Sequence, residues 1–371
     1  RQMCIRDRVT ITPKTAFGIY SAGVPFNVTL NKCQSVMYMS NQNQDLAGTR
    51  LVANKPFSLF SGHQCANVPN SLVSFCDHVD DQMPPLSSLG KTFVLVPFAR
   101  RTKGDWIRVV STKPNTKIVK NGVELTTIAS ADTAYSFDLL SSDFALLESS
   151  EPIMVIQLVK GTDNDDVDSD PAMAVVPPIS QWSNNYIFSG VGPLQGTATH
   201  FYGIAAPANK ISGVRFDGAA IPPEQWVDVF GGAFKAHVSE ISLNSHTLLH
   251  VEPNVGLQVV VYGYGQADSY AFPGGQRFAE LGEFCRPTPA VLNDGIDNDC
   301  DNRVDEELVN GIDDDGDGLI DEDTAGTGDV GVCNESQFIG VADPAAEVGP
   351  TKISTNGKCL CAQVIQGVPP P

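Results

Sequence analysis

Hydrophobic residues between about residues 17 and 275 occur in short runs, separated by glycine, proline, asparagine and aspartate. These runs show almost no 3.6-residue periodicity and are rich in β-branched and aromatic residues, which favours strands over helices. The pattern therefore predicts an all-β fold. The expected core strands are residues 93–96, 106–110, 153–159 and 257–262.

Turn-forming and acidic segments divide the chain further. Asn121-Gly122 lies between two short apolar runs, and both residues accept the positive φ angles of a type I′ turn, so residues 117–125 are predicted to form a hairpin. An acidic, proline-containing segment at residues 163–178 separates two sandwich-like halves. The predicted halves are residues 9–165 and 166–280.

The ends of the chain do not fit this strand pattern. Residues 1–8 resemble the translation of a sequencing adapter, so we leave them out of the fold prediction and take the lack of a signal peptide as uninformative. From residue 285 the chain has no periodic core, so ions and disulfides must supply its order. It divides into an Asp-rich repeat at 285–325 and a cysteine-containing tail of low order at 326–371, which we interpret as truncated.

Composition narrows the functional classes. The chain has 371 residues, of which 42% are hydrophobic, which is enough for two or three domains with buried cores. Its net charge of -19 opposes binding to nucleic-acid phosphates, and no apolar run approaches the length of a membrane-spanning helix. Residues 294–323 contain fourteen acidic residues and one basic residue, so this segment alone contributes -13.

The acidic segment is a tandem repeat with a shift of sixteen residues. Each copy reads D-x-D-x-D, then a small residue (Asn302 or Gly318), then a further aspartate three positions on. Calcium binds six to eight oxygens, and alternating carboxylates on a tightly turned loop converge on one point. The predicted calcium ligands are Asp297, Asp299, Asp301, Asp305, Asp313, Asp315, Asp317 and Asp321.

This repeat differs from an EF-hand at the position that closes the loop. The twelfth residue is Leu308 or Thr324 instead of glutamate, and no amphipathic helix flanks either copy. The spacing resembles thrombospondin type-3 repeats and the Asp-rich repeats of bacterial surface proteins. We expect dissociation constants on the order of 10⁻⁴ to 10⁻³ M, as in extracellular modules. The alternative is an acidic linker that binds no ion.

Apart from Cys4, the chain contains eight cysteines without a C-x-x-C pair, which favours disulfides in an oxidising compartment. His63-x-Cys65 and Cys76-x-His78 form a mirrored pattern with two interpretations. Either Cys65 and Cys76 form a disulfide, or zinc binds His63, Cys65, Cys76 and His78. Cys285 and Cys300 are a second predicted disulfide. Pairing among Cys33, Cys333, Cys359 and Cys361 is left open.

Several segments together resemble the N-terminal domain of the IgGFc-binding protein family. They are DLAGT (45–49), GHQCANVP (62–69), CDH (76–78), QMPP (82–85), GDWIRVV (104–110), DPAM (170–173), YGY (262–264) and SYAFPGG (269–275). The resemblance covers most of residues 17–278 in the same order. It implies an extracellular, β-rich module without catalytic residues.

We therefore expect a secreted or cell-surface binding or adhesion module that uses calcium as its cofactor and does not bind nucleic acid. Its partner is expected to be an extracellular protein or glycan. No G-x-S-x-G, H-E-x-x-H, P-loop or dinucleotide-binding motif indicates an enzyme. The alternative is a β-sandwich glycoside hydrolase, whose two carboxylates need no local motif. Asp77, Asp80, Asp81 and Asp105 are the carboxylates to test for that activity.

Overall fold

The structure is a computed structural model. It describes residues 7–31, 34–40, 44–165, 167–192, 194, 198–278, 291–292, 298, 307–308, 324–325, 351–355 and 358–362. The chain divides into two compact units, Arg1–Phe278 and Ala279–Pro371. Among the described residues, no helix has the length and apolar character needed to cross a membrane.

The first unit begins with a small sheet and a separate hairpin. The three strands of the small sheet are ordered β2-β1-β3, all antiparallel. The next two strands pair only with each other within the described part of the chain. These five strands are β1 (Asp7–Thr12), β2 (Phe26–Leu30), β3 (Arg50–Ala53), β4 (Phe60–Ala66) and β5 (Asp77–Gln82).

A seven-stranded sheet follows. Its strands are β6 (Gly90–Leu95), β7 (Asp105–Ser111), β8 (Thr116–Lys120), β9 (Val123–Ile128), β10 (Ala134–Leu139), β11 (Ala145–Leu158) and β12 (Met173–Val175). The long strand β11 pairs with β6 and β8 before Pro152 and mainly with β7 and β12 after it. Because proline has no N–H to donate, it is suited to the point where the pairing changes.

The predicted hairpin is confirmed as β8 and β9. Asn121 and Gly122 have φ angles of 53° and 73°, as a type I′ turn requires. The Asn121 amide also donates to Asp143 Oδ1 at 2.8 Å, and its carbonyl oxygen accepts from the Leu146 N–H at 2.9 Å. The turn is therefore fixed by tertiary hydrogen bonds as well as by its local sequence.

Two further sheets complete the first unit. One has the order β13-β19-β15-β16 and the other β17-β18-β14-β20-β21, with antiparallel pairing throughout. Their strands are β13 (Asn185–Ser189), β14 (Thr199–Pro207), β15 (Val214–Phe216), β16 (Ala219–Ala220), β17 (Val227–Asp228), β18 (Phe234–Ile241), β19 (Ser245–His250), β20 (Gln258–Gly265) and β21 (Asp268–Pro273).

Helices are short wherever the structure describes the chain. The α-helix α1 covers Thr162–Asp165, and four 3₁₀ turns cover Leu86–Ser88, Ile179–Gln181, Ala208–Gly213 and Pro223–Gln225. The prediction of an all-β fold is confirmed. The predicted core strands correspond to β6, β7, β11 and β20, and β20 is buried at all eight positions.

The halves predicted at 9–165 and 166–280 share buried contacts. Strand β12 lies beyond residue 165 but pairs with β11. One buried cluster joins Phe98 and Val159 to Phe201 and Tyr262. Within Arg1–Phe278 the sheets before and after residue 165 therefore share a core. The domain boundary predicted at residues 165 and 166 stays a prediction.

The second unit is described at few positions. Strands β22 (Glu307–Leu308) and β23 (Thr324–Ala325) pair in parallel, and β24 (Thr351–Thr355) and β25 (Lys358–Ala362) form an antiparallel pair. The eight predicted calcium ligands, Cys33, Cys333 and the predicted pair Cys285–Cys300 lie outside the described residues.

Replacing Leu147 tests the core of the seven-stranded sheet, where this side chain is completely buried. We expect Leu147→Ala to lower the free energy of unfolding by about 2 to 5 kcal/mol, because the substitution leaves a cavity. Urea denaturation of the full chain measures this loss. The matched control is Leu140→Ala, at a position that is 59% exposed and should change stability by less than about 0.5 kcal/mol. Similar losses for both variants would contradict this assignment of the core.

Candidate binding site

The best-defined candidate site is the hairpin of β4 and β5, residues 60–82, which we call the disulfide hairpin. Cys65 and Cys76 are joined by a disulfide with their Cα atoms 4.9 Å apart. The strand register shifts between His63 and Ala66, so Cys65 lies in a bulge of β4. A bulge adds a residue to one strand and redirects its side chains.

The two histidines of the mirrored pattern have partners other than a metal. His63 Nδ1 accepts a hydrogen bond from the Cys65 N–H at 3.0 Å, and His78 Nε2 lies 3.3 Å from Asp80 Oδ1. Among the described residues, no three potential ligands are grouped so that they could hold a metal ion. Since the disulfide uses both sulfurs, the zinc alternative at these four residues does not fit this structure.

The inner face of β5 attaches the hairpin to the body of the first unit. Val79 is buried in a cluster with Val68, Ile156, Leu158, Met173 and Val175. Asp81 Oδ2 accepts a hydrogen bond from the Val175 N–H at 2.8 Å, and Val68 O accepts one from the Gly161 N–H at 3.1 Å. The base of the hairpin is therefore held by β11, β12 and the segment between them.

The outer strand of the hairpin is open to solvent. Six of the seven residues of β4 are exposed, and the edge of β4 opposite β5 pairs with no other described strand. Three large apolar side chains of the hairpin are also exposed: Phe60 (61%), Leu72 (91%) and Phe75 (58%). Exposed apolar side chains on a fixed scaffold are suited to contact with another molecule.

Sequence reasoning missed these exposed residues. Apolar residues in a β pattern are expected in the core, and nothing in the alternation of residues 60–75 marks them as exposed. The predicted disulfide could have indicated this exposure, because Cys65 and Cys76 are only eleven positions apart. A loop this short has little interior in which to bury Leu72 and Phe75.

Comparison with known proteins now gives the context of the hairpin. The family model described as IgGFc binding protein matches residues 5–263, which include the whole hairpin. The chain belongs to the IgGFc-binding protein family. It is 26% identical over 269 residues to the human IgGFc-binding protein, an alignment that covers 71% of this chain. The chain spans 5% of the length of that relative.

Solved structures add little to this family assignment. An anti-sigma factor domain-containing protein is 10% identical with a TM-score of 0.17, covering 62% of this chain and 94% of the other. A glycosyl hydrolase family 2 member from Bacteroides cellulosilyticus is 11% identical with a TM-score of 0.14, covering 68% and 36%. Both scores are too low to support an argument about fold or activity.

A group of carboxylates lies at the base of the hairpin in this IgGFc-binding family domain. Burial raises the pKa of Asp77, and the nearby carboxylate of Asp268 raises it further. Burial likewise raises the pKa of Asp170, with added repulsion from Asp77, Asp268 and Asp168. We call Asp77, Asp168, Asp170 and Asp268 the acidic cluster. Its members come from three separate segments of the chain.

The four carboxylates proposed for glycoside hydrolysis do not form a facing pair. Asp105 is completely buried, and Asp80 lies on the opposite face of β5 from Asp77 and Asp81. Asp77 and Asp81 share a face but lie four residues apart, about 13 Å at the usual strand rise. Glycosidases hold their two carboxyl groups about 5 to 9.5 Å apart. The position of these four residues does not favour the hydrolase alternative.

Asp105 is instead buried and held by hydrogen bonds to neighbouring residues. Its Oδ2 accepts hydrogen bonds from the Phe98 N–H at 2.9 Å and from Gln157 Nε2 at 2.7 Å, while its Oδ1 is buried without a hydrogen-bond partner. Burial raises the pKa of Asp105 to about 7, although both hydrogen bonds and the charges of Arg101 and Lys160 oppose the shift. Below about pH 7 the protonated form of Asp105 is therefore favoured in the folded domain.

This shift predicts a pH dependence of stability. Between about pH 4 and 7 the unfolded chain loses the Asp105 proton while the folded domain keeps it, so stability falls as pH rises, by roughly 1 kcal/mol per pH unit. Asp105→Asn keeps an acceptor for both hydrogen bonds and should remove this part of the slope. Urea denaturation from pH 4 to 8 measures it. The control is Asp163→Asn, at an exposed position of α1, and equal slopes in the wild type and Asp105→Asn would contradict the assignment.

Proposed function

We propose that this chain is an extracellular binding module that contacts a protein partner through the disulfide hairpin. The observation that carries the proposal is the exposure of Phe60, Leu72 and Phe75 on a hairpin whose base is buried. Covering apolar surface contributes about 25 cal/mol per Å². The disulfide and the buried base reduce the entropy lost on binding, because the hairpin is already ordered.

The family gives the first partner to test. The human relative is named for binding the Fc part of immunoglobulin G, and Fc is therefore our proposed partner class for this chain. A protein surface suits the hairpin better than a glycan, since leucine and phenylalanine side chains offer no hydrogen bonds to sugar hydroxyls. The open edge of β4 adds backbone groups that an extended segment of a partner could pair with.

Replacing Leu72 tests this surface. We expect Leu72→Ser to weaken binding to a purified Fc fragment at least about tenfold, because covering an exposed leucine side chain completely contributes about 1.5 to 3 kcal/mol. Leu140→Ser, at an exposed position outside the hairpin, is the matched control and should bind as the wild type does. Surface plasmon resonance with the full chain measures both.

A glycan array run with the same proteins tests the alternative partners. Retention of a glycan that Leu72→Ser does not weaken, together with no binding to Fc, would overturn the hairpin proposal. Release of cleaved sugar would instead support the glycoside hydrolase alternative.

We further propose that the Asp-rich repeat binds calcium. The support is the tandem spacing of eight aspartates and the parallel pairing of β22 and β23, which begin two and three residues after the last predicted ligand of each copy. Calcium would then order a tail that has no periodic hydrophobic core.

Single substitutions distinguish a predicted calcium ligand from a neighbouring aspartate that is not a predicted ligand within the second repeat. Asp315→Asn removes a predicted ligand and should weaken calcium binding by about tenfold, from a dissociation constant on the order of 10⁻⁴ to 10⁻³ M. Asp314→Asn removes the same charge from the neighbouring position, which is not a predicted ligand, and should have a smaller effect. Calorimetric titration of the full chain measures both. No calcium-dependent heat, or equal losses in both variants, would contradict the proposal.

A further inference from the structure

The disulfide of the hairpin is accessible from solvent. Cys65 is exposed in the bulge of β4, and Cys76 is half-buried directly before β5. Exchange of a disulfide requires that a thiolate reach one of the sulfurs, and exposed disulfides are the reactive ones in secreted proteins. Of the two sulfurs, that of Cys65 belongs to the more exposed residue.

The backbone next to this disulfide is strained. Phe75, which precedes Cys76, has a φ angle of 61°, in the left-handed region that costs a residue with a Cβ atom about 1 to 2 kcal/mol. Its side chain is 58% exposed, so packing supplies little to hold that conformation. Opening the disulfide would let Phe75 relax, which favours the open form.

The sequence of the hairpin that carries the disulfide contains acidic residues but no lysine or arginine. Between residues 56 and 90 the chain contains three aspartates, Asp77, Asp80 and Asp81, and no lysine or arginine. Asp77 also belongs to the acidic cluster, whose carboxylates repel one another. The negative charge of these aspartates attracts a positively charged reagent and repels an anionic one.

We propose that the Cys65–Cys76 disulfide is a thiol-exchange site that accepts a thiol carried beside a positive charge. The thiolate of the incoming molecule attacks Cys65 Sγ, a new disulfide forms to Cys65, and the Cys65–Cys76 bond breaks. Cys76 leaves as a thiolate and takes a proton from water. One thiol-level sulfur and one disulfide are present before and after the step, so no oxidant or reductant is needed. This covalent step is separate from the non-covalent binding proposed above.

Three small thiols of similar size test the charge preference. Cysteamine is positively charged, 2-mercaptoethanol is neutral and 2-mercaptoethanesulfonate is negatively charged. Each is added to the oxidised full chain, with rates compared at equal thiolate concentration. Acid-quenched samples are alkylated and mapped by mass spectrometry. We expect cysteamine on Cys65 with alkylated Cys76, and a rate about tenfold above that of the sulfonate at low ionic strength, with the ratio falling as salt is added.

A second pair of variants tests the strained backbone. Asn accepts the left-handed conformation better than Phe does, so Phe75→Asn should lower the equilibrium constant for exchange by about fivefold. Phe57→Asn makes the same chemical change at an exposed position outside the disulfide loop, whose φ is not positive, and should leave the constant unchanged. Near-ultraviolet circular dichroism checks that both variants are folded.

Two results would overturn the proposal. One is mixed disulfides found only on other cysteines while Cys65 and Cys76 stay joined. The other is equal rates for cysteamine and the sulfonate at low salt. Loss of Fc or glycan binding does not enter this test, so the failure of one proposal can be told from the failure of the other.

Discussion

Tyr262 lies in the middle of β20, only 1% exposed, and its ring packs between the two sets of sheets in the first unit. Its centroid is 4.6 Å from that of Phe98 and 5.4 Å from that of Phe201. A buried phenol needs a hydrogen-bond partner, and the Ala99 N–H donates to its oxygen at 2.8 Å. This contact fixes the segment after β6 against β20 and so joins the seven-stranded sheet to the sheet that contains β20.

Two basic residues, Arg101 and Lys160, are buried near this junction. Arg101 donates to Ser169 Oγ at 2.6 Å and to Lys160 O at 2.7 Å, and its guanidinium lies 5.5 Å from the centre of the Tyr264 ring. Lys160 in turn donates to Asp138 Oδ1 at 2.6 Å. Burying such groups adds little net stability because desolvation offsets the attraction, but removing one partner is costly. The network therefore fixes the loop between β11 and β12, which is one of the supports of the disulfide hairpin.

Local sequence predicted the parts of the fold that local chemistry determines. The strands β6, β7, β11 and β20 follow from β-branched runs, and the hairpin of β8 and β9 follows from Asn121-Gly122. The acidic cluster could not be predicted, because Asp77, Asp170 and Asp268 come together only after three segments have packed. The spacing of His63, Cys65, Cys76 and His78 fits a disulfide and a zinc site equally well. The set of eight cysteines without a C-x-x-C pair favours the disulfide, and the positions of the side chains in space confirm it.

The register of β5 decides which residues of the hairpin meet solvent. Side chains alternate between two faces, so Val79 and Asp81 point towards the body while His78 and Asp80 point outwards. A slip of one residue would bury Asp80 and expose Val79. Burial of Val79, the bond from the Val175 N–H to Asp81, and the disulfide to β4 all oppose that slip. The same three contacts that hold the inner face therefore determine the exposed face, which is the surface of the proposed partner contact.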